Sequence, residues 1–523
     1  MPSTTKAYLI GSGIGSLAAA AFMIRDGGVA GRNILIFERE SALGGSLDAA
    51  GNSSTGYSMR GGRMLTSDNY ECTWDLFKSV PSLQHPEKSV YQETMEFNRE
   101  FKSDSRARLV TRQRAIVPGN SMGFSMHDRE ELLALYRNDE GALGRSRITD
   151  WLSPEFFETN FWTMWSTTFA FQPWHSAVEF RRYLHRFILE FPRIETLAGV
   201  KRTIFNQFDS LVRPLEAWLV AHGVKICLNC CVTDVDHRYT DGMFVVTGLQ
   251  YRDLASTKTI AVDPDDLVFV QNGSMTDASS VGSMTAAPAH NERGDGGAWS
   301  LWEKLAQGRP GFGEPRVFNS CIAESWWGSF TITLHEPGFF NAVRDFSGNV
   351  AGTGGLVTFK ESNWQLSMVL AHQPHFLNQP AGTQVLWGYA LSGDRIGNFV
   401  AKPMAECNGA EILKELCGHL SFDLSLVKAA ICLPCRMPYI TSQFMPRLVS
   451  DRPLPVPRDS KNLAFVGQFV EIPEDTVFTV EYSVRAAQMA VYQFLAVKRA
   501  VPPVSAHDRS MRAEFQAVIK AFH

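Results

Sequence analysis

The 523-residue chain lacks any run of eighteen uninterrupted apolar residues, which argues against a membrane-spanning helix. It lacks a dominant charge. Its 50 Lys and Arg face 54 Asp and Glu, a formal net charge of −4, so nothing draws the whole chain to nucleic acid. Internal repeats and low-complexity tracts are missing, which sets aside solenoids and linker-rich scaffolds. The opening residues Met1 to Lys6 run straight into an apolar strand, without the charged, apolar and small-residue regions of a secretory leader. Cysteine is sparse and odd in number. Nine thiols suit a reduced, cytoplasmic protein better than a disulfide framework. Two pairs, Cys227/Cys230 (with Cys231 adjacent) and Cys432/Cys435, have the spacing of zinc ligands. They lie roughly two hundred residues apart in apolar runs, so they read as core thiols and no metal is expected.

What is present is an ordinary enzyme-like composition, 45% hydrophobic and 20% charged, over a length that implies two or three domains. The clearest signal comes first. The apolar strand Ala7 to Ile10 runs into Gly11-Ser12-Gly13-Ile14-Gly15-Ser16, which opens an alanine-rich helix from Ser16 to Ile24. A second strand, Asn33 to Phe37, ends at Glu38. Gly11 permits the tight turn and Gly13 lets a pyrophosphate approach the backbone. Ser16 stands at the usual third glycine and is still small enough for close helix packing, and the helix N-terminus favours phosphate. Glu38 is placed for ribose hydroxyls, and Ser41-Ala42-Leu43-Gly44-Gly45 adds a second glycine turn.

A remote element favours FAD over NAD. The buried-type strand Asn462–Val466 ends at Gly467 and precedes a helix expected over Thr476–Ala496, whose N-terminus would meet the flavin end. Between these termini, residues 151–193 are aromatic and helical in pattern, with Trp151, Trp162, Trp165, Phe169, Phe171 and Trp174. Such density marks a core or the wall of an apolar ligand tunnel. A further helix is expected over Phe205–His222. Strands are expected over Lys225–Thr233, Met243–Tyr251 and Asp266–Val270, closing in the loop Gln271-Asn272-Gly273-Ser274, from which Asn272 and Ser274 are assigned to the cofactor. Residues 317–445 alternate strands (Ser329–Leu334, Trp364–Ala371, Val385–Leu391) with the helix Ala410–Leu420.

Six motifs carry a family resemblance. They are Gly11-Ser12-Gly13-Ile14, Arg60-Gly61-Gly62-Arg63, residues 205–210 (FNQFDS), Gln373-Pro374-His375-Phe376, residues 438–447 (PYITSQFMPR) and residues 467–473 (GQFVEIP). On these, over about residues 6–495, the chain resembles the oleate hydratases, once called myosin-cross-reactive antigens. The resemblance implies an FAD-dependent enzyme that adds water to the cis-9 double bond of oleate, giving 10-hydroxystearate with no net redox change. It implies an α/β fold in which a Rossmann-type discontinuous FAD-binding domain carries a β-rich substrate domain and a helical cap. The corresponding division is 1–145 and 223–316 for the FAD domain, with a return at 446–500, 146–222 for the cap, 317–445 for the substrate domain and a short tail at 501–523. Arg60, Gly61, Gly62 and Arg63, together with Gly467 and Thr476, join the cofactor set. The partner is an unsaturated fatty acid, with peripheral membrane contact through the tail left open, as is a monomer against a homodimer.

The resemblance assigns the proton donor to Tyr183, in Arg181-Arg182-Tyr183-Leu184-His185-Arg186. A phenol, with an ordinary pKa of about 10, is a weak acid for an alkene, so its surroundings must stabilise a carbocation-like state. The family's glutamate after the Arg-Gly-Gly-Arg motif, which holds and activates water, is replaced by Met64, which has neither proton affinity nor a useful acceptor. Water would then be positioned rather than deprotonated, by backbone carbonyls beside Met64, by Asn69, by Asp68 or by the flavin. Gln207 and His375 fall where the family binds the carboxylate. The family's threonine and asparagine upstream are Val369 and Ala371 here, leaving His372 as a substitute. Two other readings stay open: a desaturase- or amine-oxidase-like redox flavoenzyme, and a flavin-containing fatty-acid-binding protein with weak catalysis.

Overall fold

The computed structural model describes residues 4–62, 64–119, 121–254, 256–291 and 296–522. Five short apolar strands form one parallel sheet in the order Leu463–Val466, Leu267–Gln271, Ala7–Ile10, Ile34–Phe37 and Lys225–Cys227. Parallel strands are buried on both faces, and period-two alternation divides their side chains between two cores. Ala7 and Leu9 pack with Ala18, Phe22 and Val484 of the helices Ile14–Arg25 and Val480–Phe494. Tyr8 and Ile10 face the other way, toward Val235, Phe244 and Val246 of the antiparallel sheet Cys231–Thr240, Met243–Arg252 and Thr257–Ala261. The C-terminal strand thus completes the N-terminal sheet, as the remote element implied.

A seven-stranded sheet makes the second layer, in the order Ser280–Val281, Ile431–Met437, Trp327–Leu334, Gln384–Ala390, Leu366–Leu370, Gly355–Phe359 and Leu109–Val110. Its edge strands come from outside residues 317–445. Leu109–Val110 pairs in parallel with Thr358 and Phe359, and Ser280–Val281 pairs with Cys435 and Arg436. Backbone pairing across such distances leaves no local mark in a sequence, so the β-rich layer is broader than expected.

Several elements differ from the sequence reading. The last long helix begins at Val480, with Thr479 as its N-cap accepting from the Tyr482 N–H at 3.1 Å. Thr476 lies a turn earlier, 1% exposed, in a loop where Glu474 and Phe478 both hold positive φ. The segment from Phe205 contains a π-helical turn, Phe208–Val212, before the helix Arg213–Ala221. The strand expected over Lys225–Thr233 breaks at Asn229 (φ 55°), which sends Cys231–Thr240 into a different sheet. The tail is structured: Met511–Ala521 is a helix that leaves Met511, Phe515 and Phe522 exposed. Among the described residues no helix is long and apolar enough to cross a membrane.

The aromatic segment folds as two helices, Asn160–Phe169 and Ala177–Arg186, capped by Thr159 and Ser176. The second is tied down by buried ion pairs. Glu179 meets Arg447 at 2.8 Å and Arg452 at 3.0 Å, all three fully buried. Arg182 bridges Glu140 and Glu471, each at 2.7 Å. Arg186 bridges Glu71 at 2.7 Å and Asp475 at 3.1 Å, and Arg485 holds those same two acids from the other side. Burial alone would raise the Glu179 carboxyl, but Arg452, Arg447 and Arg182 bring it down to about 2. Glu179→Gln leaves Arg452 buried without its counter-charge and Arg447 with Glu471 alone (3.0 Å), which is expected to cost about 3–5 kcal/mol. Denaturant unfolding at neutral pH measures this. The loss should shrink as pH falls from about 4.5 toward about 2, because a depressed carboxyl stabilises fully only above its unfolded value and not at all below its folded one.

Candidate functional site

The glycine turn lies at the carboxyl ends of the parallel strands, where open α/β sheets bind ligands. Gly11 has a positive φ of 91°, and its N–H donates to Phe37 O at 2.8 Å. Gly13 caps the helix Ile14–Arg25 without a side-chain hydrogen bond, so the helix's first N–H groups remain available to an anion. The second glycine turn packs directly on the first. Gly44 N–H donates to Ser12 O at 3.1 Å, and a Cβ on Gly45 would lie 3.4 Å from Gly13 Cα. Gly15 serves packing instead. Its Cβ would meet Gly467 N and Ser483 O at 3.4 Å, so the bare backbone lets two helices and a strand end converge.

These turns wall a polar cleft of about 740 Å³ that also takes in Glu38, Arg39, Arg60, Ser274 and Thr276. Glu38 accepts from Ser12 N–H (2.9 Å), Ser12 Oγ (2.6 Å) and Glu40 N–H (2.9 Å). A carboxylate accepts about four hydrogen bonds, so one position remains for a ligand hydroxyl. Arg60 pairs with Asp48 at 3.2 Å. Cys230 and Cys231 line this cleft and are not simply core thiols, because the turn at Asn229 carries them to its rim. Cys432 and Cys435 are buried in the strand Ile431–Met437. Among the described residues no group of three metal-ligating side chains is gathered.

Of the residues assigned to the cofactor, Gly11, Gly13, Glu38, Gly44, Gly45, Arg60, Ser274 and Gly467 line the cleft or its inner extension. Ser16, Asn272, Gly15 and Thr476 do not. Ser16 and Asn272 are wholly buried, and the Asn272 amide donates to Phe469 O at 2.9 Å. Gly61 is buried, Gly62 opens onto the apolar channel described next, and Arg63 lies outside the described residues. Gln271 carries no motif signal, yet it belongs to the cleft. Its side chain crosses the turn so closely that a Cβ on Gly13 would lie 2.2 Å from its Nε2, and its buried Oε1 has no partner.

The inner extension, walled by Gly44, Gly467 and Ser483, reaches Phe478 and Thr479. Those two residues also line a second, largely apolar channel of about 130 Å³. Phe478 sits there in a left-handed conformation (φ 66°), strain of the kind stored at functional sites. Tyr183, Met64, Gln207, His372 and His375 all face this channel, so the structure brings together residues dispersed between positions 64 and 375. Tyr183, 1% exposed, donates to Val477 O at 2.6 Å. Its ring sits among Phe169, Phe171 and Phe187, with centroids 4.9–5.2 Å away.

The expected holders of water fare differently. The Met64 carbonyl already accepts from Tyr70 Oη at 2.8 Å, the Asn69 amide donates to Arg186 O at 2.9 Å, and Asp68 pairs with Arg193 at 3.6 Å. Neither Asn69 nor Asp68 lines the channel. Among the described residues lining the channel the one carboxylate is Glu190, which Arg193 holds at 2.6 and 3.1 Å. Burial raises its pKa, and the arginine opposes the rise.

His375 is half-buried with its Nδ1 shut off from solvent, and desolvation, with His372 and Arg202 nearby, holds its pKa at about 4. It therefore stays neutral when folded but gains a proton below about 6.5 when unfolded, so its stabilisation fades as pH falls from about 6.5 to 4. His375→Gln should flatten the stability–pH curve over that window by up to about 1.4 kcal/mol per pH unit. Urea melts at half-unit pH steps test this, and parallel curves would refute it.

Comparison with known proteins places this geometry. A model of the MCRA family matches residues 4–492. The chain is 39% identical to the oleate hydratase of Streptococcus pyogenes serotype M49 (strain NZ131), over 99% of this chain and 89% of that protein. It is 33% identical to a linoleate hydratase of Lactiplantibacillus plantarum, over 94% of each. Solved structures of similar shape include an oxidoreductase from Methanosarcina mazei (TM-score 0.53, 13% identity, 94% of this chain and 100% of that one). A putrescine oxidase bound to putrescine gives a TM-score of 0.55 at 12% identity, over 94% of this chain and 99% of that one. At such identities these structures speak to fold alone.

Proposed function

This chain belongs to the MCRA family, and from that premise we propose that it is an FAD-dependent fatty-acid hydratase, adding water to the cis-9 bond of oleate to give 10-hydroxystearate. One observation carries the reading. The apolar channel holding Tyr183 and Met64 and the inner extension of the glycine-walled cleft share Phe478 and Thr479 as lining residues. A long apolar substrate in the one and a dinucleotide in the other would lie on either side of the same two residues.

The residues fit the dinucleotide: two glycine turns packed back to back, an uncapped helix N-terminus and a ribose-type acid. Gly11, Gly13, Gly44, Gly45 and Glu38 would hold it, and the Gln271 amide would turn its unpartnered oxygen and its NH2 toward it. FAD held there would supply electrostatic and structural support, with no net electron transfer.

The reaction itself falls to side chains. Tyr183 gives its phenolic proton to one alkene carbon. Positive charge develops on the other, where water adds, and the proton that water then loses returns through solvent to the Tyr183 phenolate, which regenerates the acid. Phe169 and Phe187 line the channel beside Tyr183, and their ring faces favour the developing cation. Met64 contributes shape only. With Glu190 committed to Arg193, no free carboxylate among the described lining residues stands ready to deprotonate water, so capture by a positioned water is the expected route. We further propose a cytoplasmic location, with the tail helix as a peripheral contact.

Incubating the protein with FAD, a reductant and oleate, then weighing the product, tests the reading. Gain of one water supports hydration, loss of two hydrogens supports the redox alternative, and unchanged oleate with bound ligand supports a binding protein. Tyr183→Phe should retain oleate binding and lose about 10²–10⁴ of turnover, the usual worth of a general acid. Met64→Ala should stay within about tenfold of the parent, a change of about 1.4 kcal/mol, because no proton transfer is removed. A loss beyond about a hundredfold in the folded, flavin-bound variant would give the methionine a role of its own.

A further inference from the structure

Arg202 stands out among the residues lining the channel because nothing balances its charge. It follows the short strand Val200–Lys201. Asn98 pins its backbone, accepting from its N–H at 2.9 Å and donating to its carbonyl at 2.7 Å, so the side chain is directed into the channel wall. Its buried Nε has no hydrogen-bond partner, and among the described residues no carboxylate pairs with the guanidinium. Its electrostatic neighbours make matters worse. Arg108, buried and held by Thr358, Thr167 and Thr168, carries the same charge, and the Tyr389 phenol is ordinarily neutral. Burial draws the Arg202 pKa down to about 10, a direction that an ion pair would have reversed.

The surroundings point the same way. The Nδ1 atoms of His372 and His375 are buried without partners, and both rings line the channel with Arg202. Glycines make the room: a Cβ on Gly354 (φ 77°) would lie 2.9 Å from Arg202 Nε, and one on Gly352 (φ 89°) would lie 3.2 Å from His372. Val369 and Ala371, also in the wall, offer no side-chain donor. Arg202 is half-buried as a residue, but its Nε is shut off from solvent, and a desolvated cation with no counter-ion is a cost that a ligand's anion would offset.

We propose that Arg202 is the anchor for the substrate's carboxylate, with His375 and Gln207 as its neutral partners, and that this makes an anionic headgroup a requirement for tight binding. The inference rests on the fatty-acid reading and adds a specificity-determining residue to it.

The test is equilibrium binding of oleate and of methyl oleate to the flavin-loaded protein and to Arg202→Gln and Arg202→Lys. Losing a charge-assisted pair should weaken oleate by about tenfold or more in Arg202→Gln. Methyl oleate should change by less than about twofold, and Arg202→Lys should recover part of the oleate affinity. Equal losses for acid and ester, or no loss for either, would overturn the proposal. Thermal melting without fatty acid gives a second readout. Arg202→Met should melt no lower than the parent, since it removes a half-buried charge that no carboxylate balances. A clear drop, or failure to fold, would mark a structural arginine and overturn the anchor. If the parent binds methyl oleate but not oleate, the anchor alone fails. If it binds neither, the substrate reading fails and takes the anchor with it.

Discussion

The buried ion lattice around the helix Ala177–Arg186 is the constraint on which the site depends. Glu179, Arg182 and Arg186 occupy three positions of a ten-residue helix and bind partners at positions 71, 140, 447, 452, 471 and 475. Tyr183 sits between Arg182 and Arg186 on that helix, so its phenol is located by the same pairs. Buried ion pairs are weak contributors to net stability, but losing one partner is costly, which makes them effective at enforcing a single register. A helix held by apolar packing alone could slide by a fraction of a turn. One held by six directional guanidinium–carboxylate contacts has far less latitude.

The same lattice explains two motifs that the sequence marked only by resemblance. Arg447 closes the PYITSQFMPR segment, Glu471 lies in GQFVEIP, and both are ligands of the cap helix. The loop from Glu471 to Thr479 has to serve the lattice through Glu471 and Asp475. It then delivers Val477 to the tyrosine and Phe478 to the junction of cleft and channel. That double duty accounts for the positive φ at Glu474 and Phe478, which neither residue type favours.

Much of the fold is legible in the sequence because it rests on local signals. The glycine turns, Glu38 and the return strand at Leu463–Val466 carry their chemistry in contiguous residues, and all fall around one sheet end. Thr476 departs from expectation because a helix start inferred from an apolar run moves with its cap, and Thr479 captures the N-cap position. Asn272 resembles a cofactor ligand by its place in a loop, yet its amide is spent on Phe469. Gln271 and Arg202 give no signal in one dimension, where a glutamine after a strand and an arginine after a lysine look solvated. Only three-dimensional burial reveals that one lies across a glycine turn and the other has no counter-charge.

The channel therefore has an electrostatic polarity that its apolar composition conceals. Around Tyr183 the wall is aromatic, and Glu190 is paired with Arg193, so in the proposed reaction a transient cation would meet polarisable rings without a free base beside it. Around Arg202 the wall is cationic and unpaired, and an anion would be held there independently of the reaction. Fixing the headgroup fixes how far along the chain the double bond can reach, so regiochemistry follows from the spacing between a charge anchor and an acid. With no glutamate at position 64 to choose the carbon that water attacks, that spacing must do more of the choosing here. Because the cap-helix lattice sets where Tyr183 stands, the lattice and the unpaired arginine together would act, on the proposed roles of both residues, as the ruler against which the substrate is measured.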